Sequence, residues 1–153
     1  MIQYLVMYME NYVELLKSNG LKITHHRLEI LRFLDSHRTH PTAEEIYKKL
    51  KQTNPGLSRT TVYNNLETLS DAGLIQRLTI CPTEHRYDFN NTMHHHFICK
   101  QCGEIFDIKY QCPHVSSIKK HIIQQGHRID EVHGYFKGIC KECVEEQSEE
   151  QHG

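Results

Sequence analysis

Two C-x-x-C pairs, Cys99-Lys-Gln-Cys102 and Cys140-Lys-Glu-Cys143, constrain this chain more than any other feature. They are separated by 37 residues. Each pair can place two thiolates on one metal ion. Together they complete a tetrahedral sulfur shell suited to Zn(II). A closed shell leaves no open coordination position, so the role expected of it is structural. The alternative is two dithiol redox motifs. Those need C-x-x-C at the start of a helix after a strand, and neither pair is expected there.

The other cysteines, Cys81 and Cys112, are left over and read as packed or free thiols. Cysteine use is about 4%, well under the roughly 8–10% of a disulfide scaffold. No apolar run reaches the roughly 20 residues of a membrane span. The opening MIQYLVMY lacks the basic start and cleavage site of a signal peptide. A cytoplasmic, reducing location is expected, with no membrane partner.

The stretch carrying the cysteines reads as strand–strand–helix–strand. HHHFICK (94–100) and GEIFDIK (103–109) are the first two strands, PHVSSIKKHIIQQ (113–125) the helix and RIDEVHGYFKGI (128–139) the last strand. The chain holds 13 histidines, several times the usual number. On a strand, His94 and His96 share one face and His95 takes the other. Asp88 lies just upstream and Asp107 on the neighbouring strand. Imidazoles with carboxylates and no sulfur suit Fe(II), Mn(II) or Zn(II). Nothing local pairs His40 with His94.

The first half reads as helical. Tyr12, Val13, Leu15 and Leu16 have helical spacing, and Asn19-Gly20 ends that helix. Thr24 caps a second helix bearing Leu28, Leu31 and Leu34. Thr42-Ala-Glu-Glu45 is a capping box that opens a third. Asn54-Pro55-Gly56 is a turn. Ser58 caps a fourth helix with Val62, Leu66 and Leu69 inward, and Gly73 stops it. LIQRLTI (74–80) and HRYDF (85–89) form a hairpin.

Helix, turn, capped helix and hairpin is the order of a winged helix-turn-helix, in which a helix enters the major groove of DNA. Arg59, Thr60, Tyr63, Asn64 and Asn65 lie off the apolar face of the fourth helix. With Ser58, Thr61 and Arg27 they make up the candidate DNA-binding residues. A plain helical bundle with a solvated polar face has the same order. Charge alone favours the plain bundle: residues 1–82 hold 10 Lys+Arg against 8 Asp+Glu, a net of +2, and residues 83–153 hold 8 against 11, a net of −3. A strong DNA binder is usually more basic, and a weakly basic module gains from dimerisation.

The expected fold class is therefore α+β: an N-terminal winged helix-turn-helix plus a C-terminal α/β unit with a small antiparallel-containing sheet. The expected domains are residues 1–89 and 94–144 and a disordered acidic tail at 145–153.

HPTAEEIY (40–47), SRTTVYNNLETLSDAGLI (58–75), RYDF (86–89), HHHFICKQCG (94–103) and GICKEC (138–143) resemble the ferric uptake regulator family of metal-dependent transcription factors. The resemblance implies a homodimeric repressor, not an enzyme, that binds a double-stranded DNA operator through the winged helix and dimerises through the C-terminal domain. It assigns Cys99, Cys102, Cys140 and Cys143 to structural Zn(II). It assigns His40, Asp88, His94, His96 and Asp107 to a regulatory Fe(II) or Mn(II), with Zn(II) also accommodated. It implies a hinge between the two domains, at 90–93. Metal would lock the two halves into the DNA-competent arrangement.

Asp107 and the TVYNN run (61–65) look like the peroxide-sensing branch. That branch implies hydrogen peroxide as the signal, with His40 or His94 oxidised when iron is bound. The resemblance also points to an additional metal site, for which His95 and His114 fall at matching positions. The last expected histidine falls at Val132, with His133 one residue off, and a slip by one crosses the strand unless a bulge intervenes. Thr24-His25-His26-Arg27 departs from the family's usual Thr-Pro-Gln-Arg.

The nearest rival is an iron- or zinc-homeostasis repressor of the same family. A hydrolase would need an open metal site and a poised Glu base, and no H-E-x-x-H pattern is present. A zinc-stapled interaction module without a switch predicts DNA affinity indifferent to the regulatory metal.

Overall fold

The computed structural model describes residues 11–80, 83–89, 94–109, 114–129, 132 and 134–150. The chain forms two compact units, divided between Asn91 and Thr92. The hinge expected at 90–93 lies outside the described residues.

The first unit begins with helix α1, described over residues 11–18. Helices α2 (His25–Ser36), α3 (Ala43–Lys51) and α4 (Arg59–Asp71) follow. All three start where the sequence supplies an oxygen to an orphan N–H. Thr24 accepts from Arg27 N at 3.3 Å, and Ser58 accepts from Thr61 N at 3.0 Å. Thr42 and Glu45 form the full reciprocal box.

Leu16, Ile30, Leu31, Leu34, Ile46, Val62, Leu66 and Leu69 are each at most 1% exposed and build one core. Each fully buried side chain of this size contributes about 1.5–3 kcal/mol of apolar burial. Gly73, at φ +69°, closes α4, and Leu74 N donates back to Leu69 O at 2.9 Å. That left-handed residue turns the chain into strand β1 (Gln76–Leu78), which pairs antiparallel with β2 (Arg86–Asp88). The hairpin is the wing.

The second unit is a three-stranded sheet in the order β4–β3–β5. Strand β3 (His95–Cys99) pairs antiparallel with β4 (Ile105–Ile108) and parallel with β5 (Gly134–Gly138). Helix α5 (Val115–Gln124) lies between β4 and β5 in the chain, as a parallel pair requires a crossover. None of its residues is buried, and Ile118 and Ile123 are 56% and 60% exposed.

The fold class is the expected α+β. Two expectations are corrected in detail. The last strand is confined to Gly134–Gly138 rather than beginning near residue 128. Residues 145–150, read from sequence as the start of the acidic tail, continue a helix, α6 (Lys141–Glu150), and residues 151–153 lie outside the described residues. An acidic first turn at Glu142 and a Lys141–Glu145 pair of 3.7 Å favour that helix locally.

Candidate metal centres and the exposed face of the fourth helix

Strand pairing assembles the four cysteines. Cys99 ends β3 opposite Gly138 at the end of β5, so Cys140 emerges two residues beyond that pair. Lys100 N donates to Gly138 O at 2.7 Å and Gly103 N to Cys99 O at 3.0 Å, folding the first pair over the strand ends. All four Sγ atoms lie within 4.8 Å of one another. Cys102 and Cys140 have their sulfurs 3.8 Å apart. A tetrahedron with metal–sulfur bonds of about 2.3 Å has sulfur–sulfur edges of about 3.8 Å, so the donor set fits a tetrahedral metal ion.

Cys99, Cys140 and Cys143 are buried, and Cys102 is exposed. Burial opposes ionisation of Cys99. The backbone N–H groups of Cys102, Cys140 and Gln101 and the Cys102 thiol outweigh it and bring Cys99 down to about 6. Gln101 N and Cys140 N stand 3.4 and 3.3 Å from its Sγ. Burial, then contact with the other thiols, pushes Cys143 up. Ionisation is thus favoured at Cys99 and opposed at Cys140 and Cys143.

The expectation that neither C-x-x-C pair starts a helix after a strand does not hold for the second pair. Cys140 lies two residues beyond the end of β5 and immediately before α6, so the second pair does sit at a helix start after a strand. What argues against a lone dithiol is convergence: each pair faces the other pair.

The nitrogen and oxygen donors occur in both units. In the first, His40 Nε2 lies 3.9 Å from Asp88 Oδ2, and both residues are buried. His40 is held at φ +51°, a conformation uncommon for a residue with a side chain. The wing strand fixes this segment. Tyr87 N donates to Pro41 O at 3.0 Å, Thr42 forms a bridge with Arg86, and Arg86 Nη1 reaches His40 O at 3.5 Å.

In the second unit, His96 faces Asp107 across the β3–β4 ladder. His94 Nε2 and His96 Nε2 lie 3.2 and 3.6 Å from Asp107 Oδ1. The two rings are 4.4 Å apart. Ligand atoms around one ion with bonds of about 2.0–2.2 Å stand roughly 3 Å apart, so this trio is spaced as metal donors are.

His95 points to the other face of β3. It is buried, with Phe136 edge-on at 6.1 Å. His114 is the exposed N-cap of α5 and makes no capping hydrogen bond. Cys81, Cys112 and His133 lie outside the described residues. Among the described residues, no group of three or more donors includes His95 or His114.

On α4, Arg59, Thr60, Tyr63 and Asn64 are exposed. Ser58 is taken up as the cap, donating or accepting at Thr61 Oγ1 at 2.8 Å. Arg27 and Asn65 are not loose surface groups. Arg27 Nε donates to Asn65 Oδ1 at 3.2 Å, and its Nη1 donates to Lys22 O at 2.7 Å. Asn65 in turn donates to Thr61 O at 2.7 Å. Sequence reading missed three side chains: Glu44 and Tyr47, which flank Arg59, and Arg86, which backs His40. Arg59 and Glu44 are 15 residues apart, and no local pattern links them.

A winged helix followed by a metal-donor-rich α+β unit defines a metal-responsive transcriptional regulator. The chain belongs to the ferric uptake regulator family, whose model matches residues 18–135. Members are DNA-binding transcription regulators rather than enzymes. The peroxide-responsive repressor PerR of Staphylococcus aureus (strain Mu50 / ATCC 700699) is 40% identical over 137 residues, covering 88% of this chain and 90% of that protein.

The Helicobacter pylori ferric uptake regulator Fur, described as having three functional metal binding sites, matches with TM-score 0.69 at 26% identity, covering 92% of this chain and 93% of that one. The Campylobacter jejuni peroxide stress regulator matches with TM-score 0.65 at 30% identity, covering 86% and 98%. No helix among the described residues is long and apolar enough to cross a membrane.

Proposed function

We propose that this chain is a peroxide-responsive repressor whose metal-loaded homodimer binds a double-stranded DNA operator in the cytoplasm. The observation that carries the reading is the donor chemistry. His40 with Asp88, and His94 with His96 and Asp107, are buried or half-buried nitrogen and oxygen donors, segregated from the four thiols. We assign these five residues to one regulatory site for Fe(II) or Mn(II), and Cys99, Cys102, Cys140 and Cys143 to structural Zn(II). Occupancy of the regulatory site favours the arrangement of the two units that binds DNA.

Fe(II) held by these residues would reduce hydrogen peroxide by one electron and so generate a stronger oxidant beside its own ligands, whereas Mn(II) would support repression without that chemistry. On the protein side, the imidazole of His40 or His94 gains one oxygen and ceases to be a good ligand, so metal is lost and the operator is released. Resemblance to PerR at 40% identity supports the peroxide branch, as do Asp107 and Asn64. Dimerisation is supported by the exposed apolar groups Ile118, Ile123 and Phe136 on α5 and β5. Arg59, Thr60, Tyr63 and Asn64 are assigned to direct DNA contact, with Ser58, Thr61, Arg27 and Asn65 holding the helix that carries them.

Peptide mass spectrometry after a small dose of hydrogen peroxide tests the reading. Fe(II)-loaded protein is expected to gain one oxygen on the His40 or His94 peptide, and Mn(II)-loaded protein is not. Unmodified histidines with iron demonstrably bound would exclude oxidation sensing. They would leave the iron- or zinc-homeostasis repressor, including Zn(II) at the regulatory site, as the reading.

A further inference from the structure

Arg59, the first residue of α4, is held more tightly than an ordinary exposed arginine. Its Nε donates to Glu44 Oε2 at 2.9 Å, and its Nη2 donates to Glu44 Oε1 at 2.9 Å. This is the two-pronged geometry that fixes the plane of a guanidinium. The same guanidinium lies over the ring of Tyr47, 4.6 Å from its centroid. Glu44 and Tyr47 both belong to α3, so one helix clamps the leading side chain of the next. Lys48 Nζ also lies 3.9 Å from Glu44 Oε1.

A guanidinium has five N–H groups. Glu44 takes the edge made by Nε and one N–H of Nη2. The edge made by the other N–H of Nη2 and one N–H of Nη1 stays available, and it carries two parallel donors. Such a pair matches the O6 and N7 acceptors of guanine in the major groove. It also matches two phosphate oxygens, but the Glu44 carboxylate largely cancels the charge of Arg59, which weakens attraction to an anion more than to a neutral base edge. The N-terminal end of the second helix of a helix-turn-helix is where base edges are read.

We propose that Glu44 is a positioning residue for DNA recognition: it clamps Arg59 so that the free edge of the guanidinium reads a guanine in the operator. The inference rests on the DNA-binding reading above.

Duplexes selected from a fully randomised library by the full-length Mn(II)-loaded protein provide the probe. The wild type is expected to recover sites with guanine at a fixed position. Glu44→Gln and Arg59→Lys are both expected to relax that position and to weaken binding to the recovered duplex about tenfold, within the range of one lost bidentate contact. Both side chains are at the surface, so melting temperatures are expected to stay at the wild-type value.

The sign of the Glu44→Gln effect is decisive. Removing a negative charge beside DNA tightens binding if Glu44 is only a surface charge, so equal or tighter binding overturns the proposal. An Arg59→Lys loss that is uniform across sequences marks a phosphate contact and also overturns it. A wild type that enriches no duplex overturns the DNA-binding reading itself. An enriched duplex bound equally by all three proteins overturns only the role of Glu44 and Arg59.

Discussion

A Cβ at position 134 would overlap the imidazole of His95, which lies across Gly134 in the parallel β3–β5 pair. The ring occupies the space where a side chain would stand, with Phe136 edge-on to it. Gly134→Ala is therefore expected to destabilise the second unit by about 1–3 kcal/mol, the usual penalty for overpacking a fitted site. Denaturant unfolding of the two proteins measures it. Unchanged stability would mean that His95 swings aside freely and that the glycine is not required by it.

Cys99 is a thiol whose ionisation its surroundings favour. Cys99→Ser is expected to abolish binding of one tightly held metal ion per chain and to lower the melting temperature of the second unit, because ligand binding energy is folding energy at such sites. Metal content and circular dichroism check both.

The pH dependence has a definite sign. In metal-free, reduced protein the Cys99 thiol lies at about 6, below the ordinary value of 9.0. Its contribution to stability is fully present above pH 9 and is lost as pH falls towards about 6. Cys140 and Cys143 are shifted upward, so their contributions are present below pH 9 and lost at higher pH. Thiolate absorbance is expected to show one titration near pH 6 that disappears in Cys99→Ser.

The Thr42 capping box secures the segment that presents His40. Thr42 N donates to Glu45 Oε2 at 2.7 Å, and Glu45 N donates to Thr42 Oγ1 at 3.2 Å. Thr42→Ala removes the Oγ1 cap and is expected to cost about 1 kcal/mol. Thermal unfolding reads this directly. A loss near zero would mean that the bridge to Arg86 carries the segment without the cap.

Much of this architecture is legible in the chain because its signals are local. Thr24, Thr42 and Ser58 announce helix starts, and the leucine spacing announces which faces are buried. The cysteine spacing identifies the four-sulfur site. Alternation along β3 separates His94 and His96 from His95. Contacts between distant elements leave no such signal. The Glu44–Arg59 clamp depends on how α3 meets α4, and the hold of Arg86 on His40 depends on where the wing docks. Helix α6 is hidden for another reason: EEQSEE has the composition of a solvated tail, and the helix that carries it begins upstream, at Lys141.

His40 offers the sharpest test of the proposed regulatory metal site. Its backbone sits at φ +51°, and Arg86, Thr42 and Tyr87 hold the segment around it. A strained conformation at a donor residue is the kind of feature that persists only when surrounding contacts impose it. His40→Ala removes the imidazole while leaving the leucine core and the four thiols untouched. Zinc content is therefore expected to match the wild type and the melt to stay cooperative, with at most the modest loss that truncating one buried side chain brings. Mn(II)-dependent DNA binding is expected to weaken by more than about tenfold, since even the loss of a residue that merely supports a ligand costs roughly 10–100-fold. Metal-titrated fluorescence anisotropy on an operator duplex gives the answer. Loss of zinc or a collapsed melt would move His40 from the regulatory site to the structural framework, and unchanged anisotropy would remove it from metal sensing altogether.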